Sequence, residues 1–381
     1  MRTYFKGNST HVRSLSICQE QKGRFGLAIY LSDHGFGHAS RNIPIIRYIL
    51  EANNDIRVIV KTGKAQGQFI RDLVGDFNGR VSYYFDSMDI GLVLKEGSLD
   101  IDKDKLTEKV KAYIGSFEGK VAKENEFLHY NNVDLIVSDI VPWIFKCGKQ
   151  LNIPSILISN FTWVDIYKEH LSKEICEVYE ECYKLVDKAL FYELYMEDMK
   201  SYINNYEEVS LCSRDFDLEK ADKIKGSFKR PVVYISVGRS VNLEEKIDVS
   251  SLNYDFIVTD GIKLSGGNVH YLSKETSNTQ DYLIASDFVI TKAGWGTVSE
   301  ALLGKKKIAL LSRDNVAEDR NTIRKLVDRG LAIEVNFDLE KILKDLEEFN
   351  PCFDKYNFKN DYVEIGDKLI SYIEGKKCYG K

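Results

Sequence analysis

The sequence lacks several marks of specialised chemistry. It has no surplus of positive charge: 53 Lys and Arg stand against 58 Asp and Glu, giving a formal charge of −5. That balance offers no footprint for nucleic acid, which is set aside as a partner. Its seven cysteines (Cys18, Cys147, Cys176, Cys182, Cys212, Cys352, Cys378) are odd in number and scattered, without one Cys-x-x-Cys pair. This argues against a disulfide framework and a thiolate zinc site, and points to the reducing cytoplasm. No apolar run approaches membrane length, and the first 24 residues mix polar and basic groups without the apolar core of a signal peptide. No internal repeat or low-complexity tract occurs. A soluble chain with an N-terminal extension over 1–24 is expected.

What is present is enough apolar material for two cores. At 381 residues and 44% hydrophobic, the chain exceeds what a single core usually supports. From Phe25 onward, short apolar runs alternate with segments of helical spacing: "FGLAIYLS", "DIRVIVKT", "RVSYYFD", "DLIVSDI" and "PSILIS" read as strands. Repeated β-α units imply a parallel sheet covered by helices. Between Trp163 and about Tyr206 the chain reads as long surface helices, and 213–229 lacks periodicity and reads as a linker. A second series then runs through "PVVYISVG", "YDFIVTDG", "NVHYLS", "DFVITKA", "KKIALLS" and "LAIEVN". The expected fold class is therefore α/β, with two Rossmann-like open parallel-sheet domains facing across a cleft. They occupy 25–212 and 230–360, followed by a C-terminal helix and tail over 361–381.

In open sheets of this kind ligands bind beyond the carboxyl ends of the strands, so the loops after strands carry the candidate chemistry. The first is "SDHGFGHASR". Gly35 and Gly37 permit a tight turn and close approach of a ligand, and the helix that follows offers unsatisfied N–H groups. His38 suits a general base, because an unperturbed imidazole titrates near pH 6.5. His34 shapes the loop. Arg41 meets either an anionic group or a surface carboxylate. Asp139, ending "DLIVSDI", orients the histidine or contacts the acceptor, or else caps the next helix.

The second loop, "SVGRS", offers an open turn at Gly238 with Arg239 and Ser240 as phosphate donors, although any strand-ending turn can carry such residues. The third, "ITKAGWGTVSEAL", is the most informative. Gly294 and Gly296 free the turn, and the helix from Thr297 presents its positive end to an anion, with Lys292 beside it. Glu300, one turn on, can accept from the paired hydroxyls of a ribose.

This third string resembles the donor-binding signature of nucleotide-sugar glycosyltransferases of GT-B architecture. Lys292 takes the place of the signature histidine and Glu300 that of its carboxylate. "TKAGxGTxxEAL" is more similar to the galactolipid and peptidoglycan-precursor branch. In "VAEDRN", Glu318 and Asp319 resemble the acidic pair that contacts the donor sugar, or simply charge a helix start; the usual glutamine is absent. "HGFGHASR", "DLIVSDIVP" and "SNFTW" resemble the glycosyltransferase-like domain fused to some sugar kinases, including plant arabinokinases. The Gly-Phe-Gly-His piece also resembles nucleotide-sugar hydrolases, in which the residue matching His38 is implicated in catalysis.

The resemblance implies an inverting transfer from a UDP-sugar or other nucleotide sugar to a small-molecule, glycan or lipid hydroxyl. Peripheral membrane contact stays open. Two alternatives stand beside transfer: hydrolysis with water as acceptor, and a non-catalytic nucleotide-sugar-binding module. The Asp-x-Asp strings at 100–104 and 215–217 fall in charged, exposed-looking segments, so no obligatory metal and no cofactor are expected.

Overall fold

A computed structural model describes residues 23–96, 100–237, 243–259, 261–273, 275–312 and 315–375. Most of the expected N-terminal extension, and the candidate donors Gly238, Arg239 and Ser240, lie outside the described residues.

The first domain contains β1 (Phe25–Leu31), α1 (Gly37–Ala52), β2 (Ile56–Thr62), α2 (Lys64–Val74), β3 (Val81–Phe85), α3 (Lys103–Gly115), α4 (Phe117–Tyr130) and β4 (Val133–Asp139). It continues with α5 (Ile144–Leu151), β5 (Ser155–Ser159), α6 (Trp163–Tyr167), α7 (Lys173–Tyr183), β6 (Lys188–Tyr192) and β7 (Tyr206–Val209). Its seven strands are parallel, in the order β3-β2-β1-β4-β5-β6-β7. Every residue of β1 is buried, as its continuous apolar run requires for a strand covered on both faces.

The second domain follows α8 (Leu218–Gly226). It comprises β8 (Val232–Ser236), β9 (Leu243–Asp248), β10 (Asp255–Val258), β11 (Ile262–Ser265), β12 (Val269–Tyr271), α9 (Thr279–Ala285), β13 (Phe288–Lys292) and α10 (Trp295–Leu303). Then come β14 (Lys307–Leu311), α11 (Ala317–Asp328), β15 (Ala332–Val335), α12 (Leu339–Glu348) and α13 (Tyr362–Gly375). The main sheet is again parallel, ordered β12-β10-β8-β13-β14-β15, while β9 and β11 pair separately. Both sheets reverse their winding beside their first strand, between β1 and β4 and between β8 and β13. The expected two-sheet α/β architecture is present.

Two local expectations give way. The stretch 163–206 is not all surface helix: Tyr167, Tyr179, Cys182 and Tyr183 are fully buried, and β6 and β7 complete the sheet. Alternating charges mask that aromatic stripe in the sequence. Segment 213–229 contains α8, capped by Asp217 accepting from the Lys220 amide at 3.0 Å. Only Ala221 of that helix is buried, so it carries no apolar stripe to read. The C-terminal helix α13 returns to the first domain, where Tyr48 donates to Asp367 at 2.6 Å and Asn53 to Glu374 at 2.9 Å.

One hydrophobic core runs through both domains, from Leu27 and Ile46 through Tyr192 and Cys212 to Trp295, Val298 and Ile365. Among the described residues no helix is long and apolar enough to cross a membrane. At Gly366 a Cβ would lie 2.4 Å from Tyr48 Cδ1, so α13 sits against α1 only because that position is bare. Gly366→Val is expected to lower stability by about 1–3 kcal/mol, as overpacking does. Urea denaturation checks this; an unchanged midpoint would place α13 elsewhere.

Candidate functional site

The reversal point of a doubly wound sheet leaves a crevice between the loops of two neighbouring strands. In the first domain that crevice lies between the ends of β1 and β4. Gly35 adopts φ +76°, a backbone state that favours glycine, and turns the chain into α1. No side chain caps that helix start, and the space where a Gly37 side chain would sit is open.

His38 and Arg41, one turn apart on α1, both reach Asp139 at the end of β4. His38 Nδ1 lies 2.8 Å from Asp139 Oδ1. Arg41 donates through Nε to Oδ2 at 2.7 Å and through Nη2 to Oδ1 at 2.5 Å, and Asn42 Nδ2 donates to Oδ2 at 2.8 Å. Asp139 thus pairs with the histidine, and Arg41 meets a buried carboxylate where a surface one was expected as one of its two partners. Burial alone would raise the Asp139 carboxyl, but the Arg41 and His38 charges outweigh it and hold the group well below the usual carboxylate range.

His38 Nδ1 meets the Asp139 carboxylate, which only accepts, at 2.8 Å and Arg41 Nη2, which only donates, at 3.0 Å; the shorter contact favours the proton on Nδ1 and the lone pair on Nε2. No hydrogen bond among the described residues engages Nε2. Burial pushes the imidazole below its ordinary value; Asp139 pulls it up, and Arg41 pushes it down again. The ring is thus neutral at neutral pH, as a base must be. The unfolded chain takes this proton first as pH falls, so the contribution to stability is complete above about pH 6.5 and is lost below it, toward the depressed folded value.

The second domain presents its own reversal point opposite. Beyond β13, Gly294 begins α10 without a side-chain cap. Trp295 does not face a ligand: its Nε1 donates to the Glu193 carbonyl at 2.9 Å, and its ring packs on Tyr192 with centroids 4.6 Å apart. The Arg41 guanidinium lies over both rings, 4.9 Å from Tyr192 and 5.0 Å from Trp295. A Cβ on Gly296 would lie 3.8 Å from Gly37 Cα, so the two helix starts meet across the domain boundary. Thr297 follows in the first turn of α10, and Lys292 ends β13.

Glu318 joins the first network, since Asn160 donates to it at 2.9 Å while accepting from Arg41 Nη1 at 2.8 Å. Asp319 is buried beside it on α11. Glu300 is buried one turn inside α10 and is met by Arg214 Nη2 at 3.3 Å. Burial raises its pKa and Arg214 pulls it back. His34 stands apart from His38, with Nε2 3.1 Å from the Asp89 carbonyl. Two of the Asp-x-Asp residues, Asp102 and Asp217, are helix caps.

Four participants escape a reading of the sequence. Asn42 had a signal, being four residues after His38 on one helical face. Asn160 had a weaker one, a polar residue just past a strand. Arg214 and Asp89 had none, because their partners lie 86 and 55 residues away in the chain.

No protein-family model matches the chain. Over 328 residues, 77% of its length, it is 26% identical to L-arabinokinase of Arabidopsis thaliana, and it spans 28% of that protein. The resemblance to arabinokinases expected from the N-terminal motifs is thus found. Among solved structures it is similar to CalG4, the calicheamicin glycosyltransferase, with a TM-score of 0.62, 12% identity, and 93% of this chain and 99% of that one covered. It is also similar to Arabidopsis thaliana UGT89C1 complexed with UDP, with a TM-score of 0.58, 15% identity and coverage of 93% and 95%. These likenesses show the GT-B fold.

The network makes a prediction of its own. Arg41→Gln leaves Asp139 buried without its cation and should cost about 3–5 kcal/mol. It also removes the charge that depresses His38, so the His38 resonance, followed by NMR, should titrate at higher pH than in the parent. An unchanged titration would separate Arg41 from the imidazole.

Proposed function

We propose that the chain is a glycosyltransferase that moves a sugar from a nucleoside diphosphate, UDP in the first instance, to a hydroxyl acceptor. The observation that carries this reading is the meeting of the two helix starts at Gly37 and Gly296, with the His38–Asp139 dyad on one side and the uncapped α10 on the other. The GT-B fold, and the UDP complex of a structural relative, support it.

In this mechanism His38 Nε2 takes the proton of the acceptor hydroxyl as that oxygen attacks the anomeric carbon. The bond from that carbon to the diphosphate oxygen breaks, the configuration inverts, and UDP leaves with the added negative charge. The first turn of α10, from Trp295 to Thr297, and Lys292 face that charge with N–H dipoles and a cation, the arrangement that most lowers such a barrier. Glu318 and Asp319 bind the donor sugar. Glu300 accepts from the ribose hydroxyls, its carboxylate steadied by Arg214. No metal is assigned to the diphosphate, and the free thiols of Cys147, Cys176, Cys182, Cys212 and Cys352 suit a cytoplasmic setting.

His38→Ala is expected to lower turnover by about 10²- to 10⁴-fold, the contribution of a positioned base, while UDP binding by calorimetry stays nearly unchanged. Equal turnover would remove His38 from the mechanism. UDP release at full rate without any acceptor would mean that water is the acceptor and the chain a nucleotide-sugar hydrolase.

Glu300 is tested separately with UDP and 2′-deoxy-UDP. The parent should prefer UDP by roughly 1.5–3 kcal/mol, the worth of hydrogen bonds to a charged group, and Glu300→Gln should lose most of that preference. The same preference in both would take the ribose away from Glu300.

A further inference from the structure

The mechanism leaves one cluster unused. Asp33 and His34, on the loop that carries His38, converge with Asp89 from the segment after β3. His34 Nε2 lies 3.3 Å from Asp89 Oδ1 and 3.8 Å from Asp33 Oδ1; it also lies 3.1 Å from the Asp89 carbonyl, an acceptor, so an ion taken up at Nε2 replaces the proton that this contact holds. Ligand bonds of about 2.0–2.2 Å around a tetrahedral zinc ion set neighbouring donor atoms about 3.3–3.6 Å apart, so these spacings need little adjustment.

The surroundings are shaped to hold the three groups there. A Cβ at Gly91 would fall 2.4 Å from His34 Nδ1, and one at Gly63 would fall 2.5 Å from Asp33 Cβ, so each ring or carboxylate occupies room that a bare backbone leaves. The His34 ring stands edge-on to Trp163 at 5.7 Å. Trp163 Nε1 donates to Asp89 Oδ2 at 2.8 Å, and Ser32 Oγ donates to Oδ1 at 3.2 Å. That is how outer hydrogen bonds orient a ligating carboxylate.

Charge supplies an independent reason. Asp89 is fully buried, with the Asp33 carboxylate close beside it. Among the described residues no Lys or Arg pairs with either acid. A divalent ion would offset the cost of ionising both carboxyls in this buried space.

We propose that Asp33, His34 and Asp89 bind one divalent first-row transition ion of the zinc class. His34 is 41% exposed, so the site keeps a side open to solvent, as three-ligand zinc centres do. The ion fastens the β1–α1 loop to the 88–91 segment. The proposal stands independently of the sugar-transfer reading.

The test uses the full chain, stripped with a chelator and titrated with Co²⁺ as a visible probe, followed by competition with Zn²⁺. One Co²⁺ per chain, displaced by Zn²⁺, is expected. Trp163→Phe should weaken binding by about 10–100-fold, the usual effect of losing an outer partner, and His34→Gln should abolish it. Circular dichroism checks that the variants fold, and Asp33→Asn, at the solvent edge, serves in place of His34→Gln if that variant does not. Absence of saturable Co²⁺ uptake by the parent overturns the proposal and leaves a histidine–carboxylate ion pair. Equal uptake by the parent and the folded ligand variant overturns it as well, because the ion then binds elsewhere.

Discussion

A guanidinium held out of water organises this molecule. Arg41 is almost wholly buried, and a bare cation there would be prohibitive. Asp139 neutralises it with two hydrogen bonds, Asn160 takes a third, and the faces of Tyr192 and Trp295 enclose the rest. These groups come from β4, the loop after β5, β6 and α10, so satisfying one charge requires that both domains be in place. The same charge keeps Asp139 ionised and adds to the burial that holds His38 neutral. Packing and acid–base state are therefore set by a single contact.

The domain boundary follows from that requirement. Beside the Trp295 bolt, α11 is stitched to the first domain: Arg329 pairs with Glu193 at 2.6 Å, Lys325 with Glu197 at 2.8 Å, and Asn321 donates to the Leu194 carbonyl at 2.8 Å. Exposed pairs of this kind contribute little each. The shared apolar core contributes more, and α13 closes it by packing on α1. The two helix starts face each other across this boundary, at Gly37 and Gly296.

The glycines have different reasons to be glycine. Gly35 needs its backbone angle, while Gly91 and Gly63 clear space for His34 and Asp33. A motif such as Gly-Phe-Gly or Gly-Trp-Gly looks uniform in the chain. Its members act on different partners once folded.

By itself the sequence determined what local periodicity and turn chemistry can carry: strands such as β1, β4 and β13, the helix starts after them, and hence two open sheets with chemistry in the loops beyond. It also placed His38 in the loop after one strand and Asp139 at the end of another, while the pairing of those strands, β1 with β4, came from the fold. Buried tyrosines among charged residues hid the true run of 163–206, and α8 showed no stripe to read. Only the tertiary structure decided that Trp295 is a bolt and not a ligand contact, that Glu300 has Arg214 for a partner, and that Asp89 lies against His34. Those outcomes depend on which residues far apart in the chain share one desolvated space, and desolvation is a property of the packed whole that no window of sequence contains.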